Sequence, residues 1–178
     1  MKAQLEIGAG NRKRHGGVSL DCNPSTSPDV VHDLNVFPYP FQDSVFDEVY
    51  ADNVLEHLED PPAVMTELHR ITKPTGTIHI WVPHFRSYWA AIDPTHKHTF
   101  TMASMDYFTV GHDFHRDYPY SPATFELLSA RLNERWPSPG LRGVVRWVAN
   151  MWPFFYDYRI SHLFPLDEIS FRLRPIKG

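Results

Sequence analysis

Five short apolar runs fill the first 82 residues: Ala3–Ile7, Val18–Asp21, Val30–Leu34, Phe46–Ala51 and Thr77–Val82. Gly, Pro, Asn or Asp bounds each one, which reads as strand. Between the fourth and fifth, Pro62–Thr72 spaces Val64, Leu68 and Ile71 along one helical face, with Met65 beside them. Asp60 is placed to cap that helix, and Lys73-Pro74-Thr75-Gly76 is placed to stop it. Strands alternating with a helix or long loop imply a mostly parallel α/β sheet. One spacing is tight. Only Gly8–Gly17 separate the first two runs. A parallel crossover takes about 10–12 residues or more, so the first helix must shrink to a turn or vanish.

The second half is less periodic. Short helices are expected at Ser87–Ala91 and Ala103–Phe108. Phe125–Trp136 is expected as strand, although Leu128 and Leu132 also suit a helix. Leu141, Val144, Val145, Val148 and Trp152 follow helical spacing, and Ile169–Ile176 alternates as a terminal strand. The 178 residues read as one domain, 1–178, with 84–122 and 137–165 as cover for a site at the sheet edge.

Composition narrows the function. The net charge of -4 disfavours a broad grip on nucleic acid. A single cysteine, Cys22, excludes an internal disulfide and a multi-cysteine zinc site. No apolar run reaches the ~18 residues of a membrane span, and the first residues lack a signal-peptide core. A reducing, cytoplasmic setting is the expectation. With 16 Pro, 12 Phe, 8 Tyr, 5 Trp and 11 His, the chain suggests loops around an aromatic-lined site, or aromatics that simply fill the core.

The chemistry begins at Leu5-Glu6-Ile7-Gly8-Ala9-Gly10, a strand that runs into a glycine turn. Glycine there permits positive φ and close approach of a ligand. Ligands of open parallel sheets sit beyond the carboxyl ends of the strands. Asp21 ends the second strand, where a carboxylate can accept both hydroxyls of a ribose. Asp33 ends the third, within reach of an adenine amino group. A nicotinamide-binding fingerprint needs G-x-G-x-x-G and an acid about 20 residues later. Here the loop is G-A-G-N-R-K and the acid comes sooner.

The ordered strings LEIGAGN, SLDCNP, DVVHDLNVFPYPFQDSVFDEVYADNVLEHLED and ELHRITKPTGTIHIWVPHF resemble a class I S-adenosylmethionine-dependent methyltransferase, in its small form with a shortened first βα unit. The resemblance implies a Rossmann-like seven-stranded sheet, helices on both faces, last strand antiparallel. It implies S-adenosylmethionine as cofactor and S-adenosylhomocysteine as product. It puts Glu6, Gly8 and Gly10 around the methionine moiety, Asp21 on the ribose, Asp33 and Leu34 at the adenine, and Asn53 near the sulfonium. Asn11 stands where the family has its third glycine.

Methyl transfer to a hydroxyl also needs a base. His57, His84 and His98 are the catalytic candidates, since histidine titrates near neutral pH. Some methyltransferases of this class carry E-x-x-E-H and a later histidine around a divalent ion. Glu56, His57 and His98 are the corresponding metal candidates, with Asn53 in place of the first glutamate. Structural hydrogen bonding is the competing reading for Glu56 and His57. For His96 and His98 it is loop stapling. Trp147–Tyr158 is expected to pack core and lid, or to form an apolar acceptor pocket or a membrane-surface helix with Arg142 and Arg146 toward head groups. Arg12, Lys13 and Arg14 form a basic run beside the glycine loop. The expected activity is methylation of an oxygen or nitrogen on a small-molecule or sugar-type acceptor. An RNA or protein methyltransferase and a non-catalytic methyltransferase-like binding subunit are the rivals.

Overall fold

A computed structural model of the chain describes residues 2–11, 13–136 and 139–177. Arg12 of the basic run and residues 137 and 138 of the expected cover lie outside the described residues. The seven strands form one sheet. They are β1 (Gln4–Ile7), β2 (Val18–Asp21), β3 (Val30–Val31), β4 (Phe46–Asp52), β5 (Thr72–Pro83), β6 (Thr124–Leu132) and β7 (Glu168–Ile176), in the order β3-β2-β1-β4-β5-β7-β6. β1, β2, β3, β4 and β5 pair in parallel, while β7 is antiparallel to both β5 and β6. The last strand is therefore the reversed one, as expected.

Helix α1 (Pro61–Ile71) forms where the periodicity places it. Asp60 caps it by accepting from the Ala63 N–H at 3.0 Å. Its buried stripe is Val64, Met65, Leu68 and Ile71, all fully buried. Each such side chain contributes about 1.5–3 kcal/mol by leaving water. The helix ends at Ile71, within one residue of its expected end, and Lys73–Gly76 belong to β5 rather than to a turn. The chain passes straight into β5, because Thr72 already pairs with Phe46 and the ladder resumes, after a register shift, at Glu48 and Thr77.

Short helices α2 (Tyr88–Ile92) and α3 (Asp113–Asp117) and a 3-10 turn at Ser104–Phe108 follow β5. α3 has no apolar periodicity in DFHRD and was not legible. β6 is a strand, as expected, but stops at Leu132 rather than Trp136. The reason is Asn133. It takes a left-handed φ of 50°, and its buried side-chain oxygen accepts from the N–H groups of Asp167 (2.7 Å) and Glu168 (3.0 Å). That amide ties the two ends of the long β6–β7 connection together. Within the connection lie α4 (Gly140–Met151) and a π-turn, Tyr156–Ile160.

The sheet has two unlike faces. Leu5, Ile7, Leu20, Val49, Ala51, Ile78, Ile80, Ile169, Phe171 and Leu173 are fully buried and face the same core as α1. The register puts Ser19, Glu6, Tyr50, His79 and Arg172 in one row on the opposite face. Tyr50, His79 and Arg172 are only half-buried. The β1–β2 crossover lies against that polar face as a loop, not a helix. His15 stacks on Tyr50 with ring centroids 3.9 Å apart, and Tyr50 stacks on His79 at 4.8 Å.

Candidate functional site

The shortened crossover holds its shape by spending two strand-end carboxylates. Glu6, 2% exposed, accepts from the backbone N–H groups of Arg14 (3.0 Å) and His15 (2.9 Å). Asp21 accepts from the Gly10 N–H (2.8 Å) and the Asn23 N–H (2.8 Å). Backbone N–H groups that a helix would otherwise satisfy are thus paired. Glycine is required twice. Gly17 has φ +90°, and a Cβ there would lie 2.2 Å from the Gln4 carbonyl oxygen. Gly8 has φ +62°, and its Cβ would meet Val54 at 2.5 Å.

Two cavities meet at Gly8. One, about 380 Å³, is lined by Glu6, Gly8, Ala9, Gly10, Asn11, Arg14 and Asp52. The other, about 300 Å³, is lined by Gly8, Asp21, Asp33, Leu34, Asn53 and His57, among others. Both volumes are in the range of small-molecule sites. Every residue the sequence assigned to cofactor binding lines one or the other. Their chemistry fits the division that the resemblance implies. The second cavity has two carboxylates and an apolar wall from Leu34 and Val54, which suits adenosine. Asp33 uses one oxygen on the Asn35 N–H (2.9 Å) and its amide (3.1 Å). A carboxylate carries about four acceptor positions, so Asp21 and Asp33 keep capacity for a ligand.

The first cavity adds Asp52, which the sequence did not single out, and Arg14 of the basic run. Asp52 is bridged by Arg14 and by a bidentate Arg135 (2.6 and 2.9 Å). Burial pushes the Asp52 carboxyl up, but the hydrogen bonds and charge of Arg135, with Arg14, outweigh this and hold it below the usual range. Arg135 also bonds Glu168 (3.0 Å) and stacks on Trp81, 4.7 Å from the ring centroid. Arg14 and Asp52 thereby bring a cation and an anion to the lining of this cavity. That pair matches a zwitterionic amino-acid moiety. No local pattern signals Arg135, which is 83 residues from Asp52.

The catalytic candidates separate. His57 lines the second cavity. Burial, then the neighbouring His96, lowers its pKa, which keeps the ring neutral near pH 7. His84 is fully buried. Its Nε2 meets Asp157 at 2.9 Å and its Nδ1 accepts from the Arg86 N–H at 3.4 Å. It ties the segment after β5 to the π-turn and lines neither cavity. His98 meets Glu56 through its backbone N–H, which donates to the Glu56 carbonyl at 3.2 Å. For the metal set the ring that converges on Glu56 and His57 belongs to His96, not His98. Loop geometry decides this. His96 donates from its ring to the Ala90 carbonyl (3.2 Å), and that bond turns it inward. Asn53 lies outside the cluster too, its amide donating to Asp52 at 2.9 Å.

A family profile described as a methyltransferase domain matches residues 16–80. An uncharacterized methyltransferase of Schizosaccharomyces pombe is 46% identical over 44 residues, which span 25% of this chain and only 16% of that protein. A S-adenosylmethionine-dependent methyltransferase of Mesorhizobium loti shares the fold at TM-score 0.56 and 15% identity, over 97% of this chain and 90% of that one. One from Archaeoglobus fulgidus does so at TM-score 0.55 and 18% identity, over 97% and 86%. The sheet, with its glycine turn and strand-end carboxylates, thus has the fold of S-adenosylmethionine-dependent methyltransferase structures, and residues 16–80 match the methyltransferase-domain profile.

Proposed function

We propose that the protein transfers the methyl group of S-adenosylmethionine to an oxygen or nitrogen of a small-molecule or sugar-type acceptor. The observation that carries this reading is the pair of cavities joined at Gly8, one carboxylate-rich and partly apolar, the other holding Arg14 and Asp52. Bound there, the cofactor supplies an activated methyl on a sulfonium. Asp21 and Asp33 bind and orient its adenosine end. Arg14 and Asp52 hold its amino-acid end. Asn53, with a left-handed φ of 54° and its N–H bonded to the Trp81 carbonyl (2.9 Å), fixes the backbone between the two cavities. Holding donor and acceptor in line is the main task, since orientation alone supplies up to about 7–11 kcal/mol of a two-reactant barrier. The net charge of -4 supports an acceptor other than nucleic acid.

The test is transfer of radiolabelled methyl from S-adenosylmethionine into separated pools of small molecules and sugars, RNA, and protein. Label in the small-molecule pool, lost with Asp21→Ala, supports the proposal. Label confined to RNA or protein overturns the acceptor class. No label in any pool, from protein that binds the cofactor, favours a non-catalytic binding subunit.

A further inference from the structure

Glu56 is a buried carboxylate beside two imidazoles, those of His57 and His96. Its side chain is 1% exposed, and neither oxygen has a hydrogen-bond partner among the described residues. An unpaired buried carboxylate is costly unless a cation or a proton balances it. One ligand atom each from Glu56, His57 and His96 lie within 4.8 Å of one another, and His96 Nε2 is 4.0 Å from Glu56 Oε1.

The outer hydrogen bonds settle the tautomers. His96 Nδ1 faces the Ala90 carbonyl, which can only accept, so Nδ1 carries the proton. Thr95 Oγ1 donates its hydroxyl hydrogen to Asp93 at 2.7 Å, so it accepts from His57 Nδ1 at 2.9 Å. In each neutral ring the lone pair is then on Nε2. At His96 a lone pair points at a carboxylate that also has only lone pairs to offer. Three acceptor groups converge, and among the described residues no other side chain donates to the Glu56 oxygens. Imidazoles whose far N–H is fixed by a carbonyl or hydroxyl are also how proteins orient metal ligands.

We propose that Glu56, His57 and His96 bind one divalent transition-metal ion. Two imidazoles and one carboxylate favour Zn²⁺, Fe²⁺, Co²⁺ or Ni²⁺ over Mg²⁺ or Ca²⁺, which prefer all-oxygen sites. Ligand bonds of about 2.0–2.1 Å place ligand atoms roughly 3.3 Å apart, so the side chains close by about an ångström. His57 also lines the adenosine-side cavity, which puts the ion at that cavity's edge. Residues 53 and 98, which the resemblance would enlist, are not needed.

The experiment titrates chelator-stripped full chain with Zn²⁺ by calorimetry and with Co²⁺ by visible absorption, after circular dichroism has shown the protein to be folded. The expected result is one equivalent bound, a cobalt spectrum with nitrogen ligands, and a rise in Tm. Glu56→Gln and His96→Ala should each weaken binding at least 100-fold, and Thr95→Ala about tenfold. His98→Ala should leave it unchanged. The isosteric Glu56→Gln keeps the test intact if His96→Ala fails to fold. No stoichiometric binding by folded wild type would overturn the proposal and assign a proton to the gap. Binding that survives both Glu56→Gln and His96→Ala would overturn it as well. Neither readout depends on methyl transfer.

Discussion

Gly17 and Arg135 carry loads out of proportion to their size. Gly17→Ala would drive a Cβ into the Gln4 carbonyl at 2.2 Å in a left-handed backbone, and neither neighbour is a flexible tip. A loss of about 3 kcal/mol is expected in urea titration. Gly10→Ala, where a Cβ meets nothing within 4 Å, should cost only about 1–2 kcal/mol of φ strain. Arg135→Ala leaves Asp52 with Arg14 and takes from Glu168 its Arg135 ion pair, at side chains 5% and 8% exposed. The loss should be about 3 kcal/mol, read as a fall of roughly 6–12 °C in Tm. Glu56 gives a pH signature in metal-free protein. Burial, and then the charges of Asp52 and Asp93, push its carboxyl up to about 8 from 4.5. The folded state therefore binds the extra proton between those values, and stability should fall as pH rises from about 4.5 to 8. Thermal unfolding across that window should show the slope, and Glu56→Gln should flatten it.

Among the elements, those built from local periodicity were legible and those fixed from far away were not. α1 announced itself through Val64, Leu68 and Ile71 and its Asp60 cap. β2 matched its expected bounds because Val18–Asp21 is closed by glycine on one side and a turn on the other. β6 ran past its real end in the sequence reading, since nothing local says that Asn133 clamps Asp167 and Glu168. α4 is unusual. Leu141, Val144, Trp147 and Met151 on it are exposed, while Val145 and Ala149 are buried. Asn150 faces β6 and bonds both backbone groups of Leu132, at 2.9 and 3.1 Å. The apolar stripe therefore turns away from the core. Trp147→Ser should change stability by under about 0.5 kcal/mol, whereas Ala149→Leu should cost about 1–3 kcal/mol by overpacking. Chemical denaturation of the two variants separates these outcomes.

At the scale of the molecule, the mostly parallel seven-stranded sheet and its reversed last strand followed from strand signals together with the resemblance carried by LEIGAGN and its successors. The polar face was written in the sequence as well. Glu48, Tyr50 and Asp52 alternate with Val49 and Ala51, and Thr77 and His79 with Ile78 and Ile80, the pattern of a sheet with one open face, where a parallel strand buried on both sides reads as a continuous apolar run. Seven cofactor candidates converged on two adjoining cavities because strand ends in a parallel sheet lie along one edge. Asp52 and Arg135 escaped notice, and Arg14 and His96 were named without these partners, because the partners lie 38 to 83 residues away. The central claim is that the cavities joined at Gly8 form one cofactor site. Calorimetric titration with S-adenosylmethionine and S-adenosylhomocysteine, in wild type and in Asp21→Ala shown to be folded, tests it most directly. The account predicts micromolar binding of both by wild type and a loss of at least about tenfold, 1.4 kcal/mol, in the variant. Absence of binding by folded wild type, or affinity unchanged in Asp21→Ala, would contradict it.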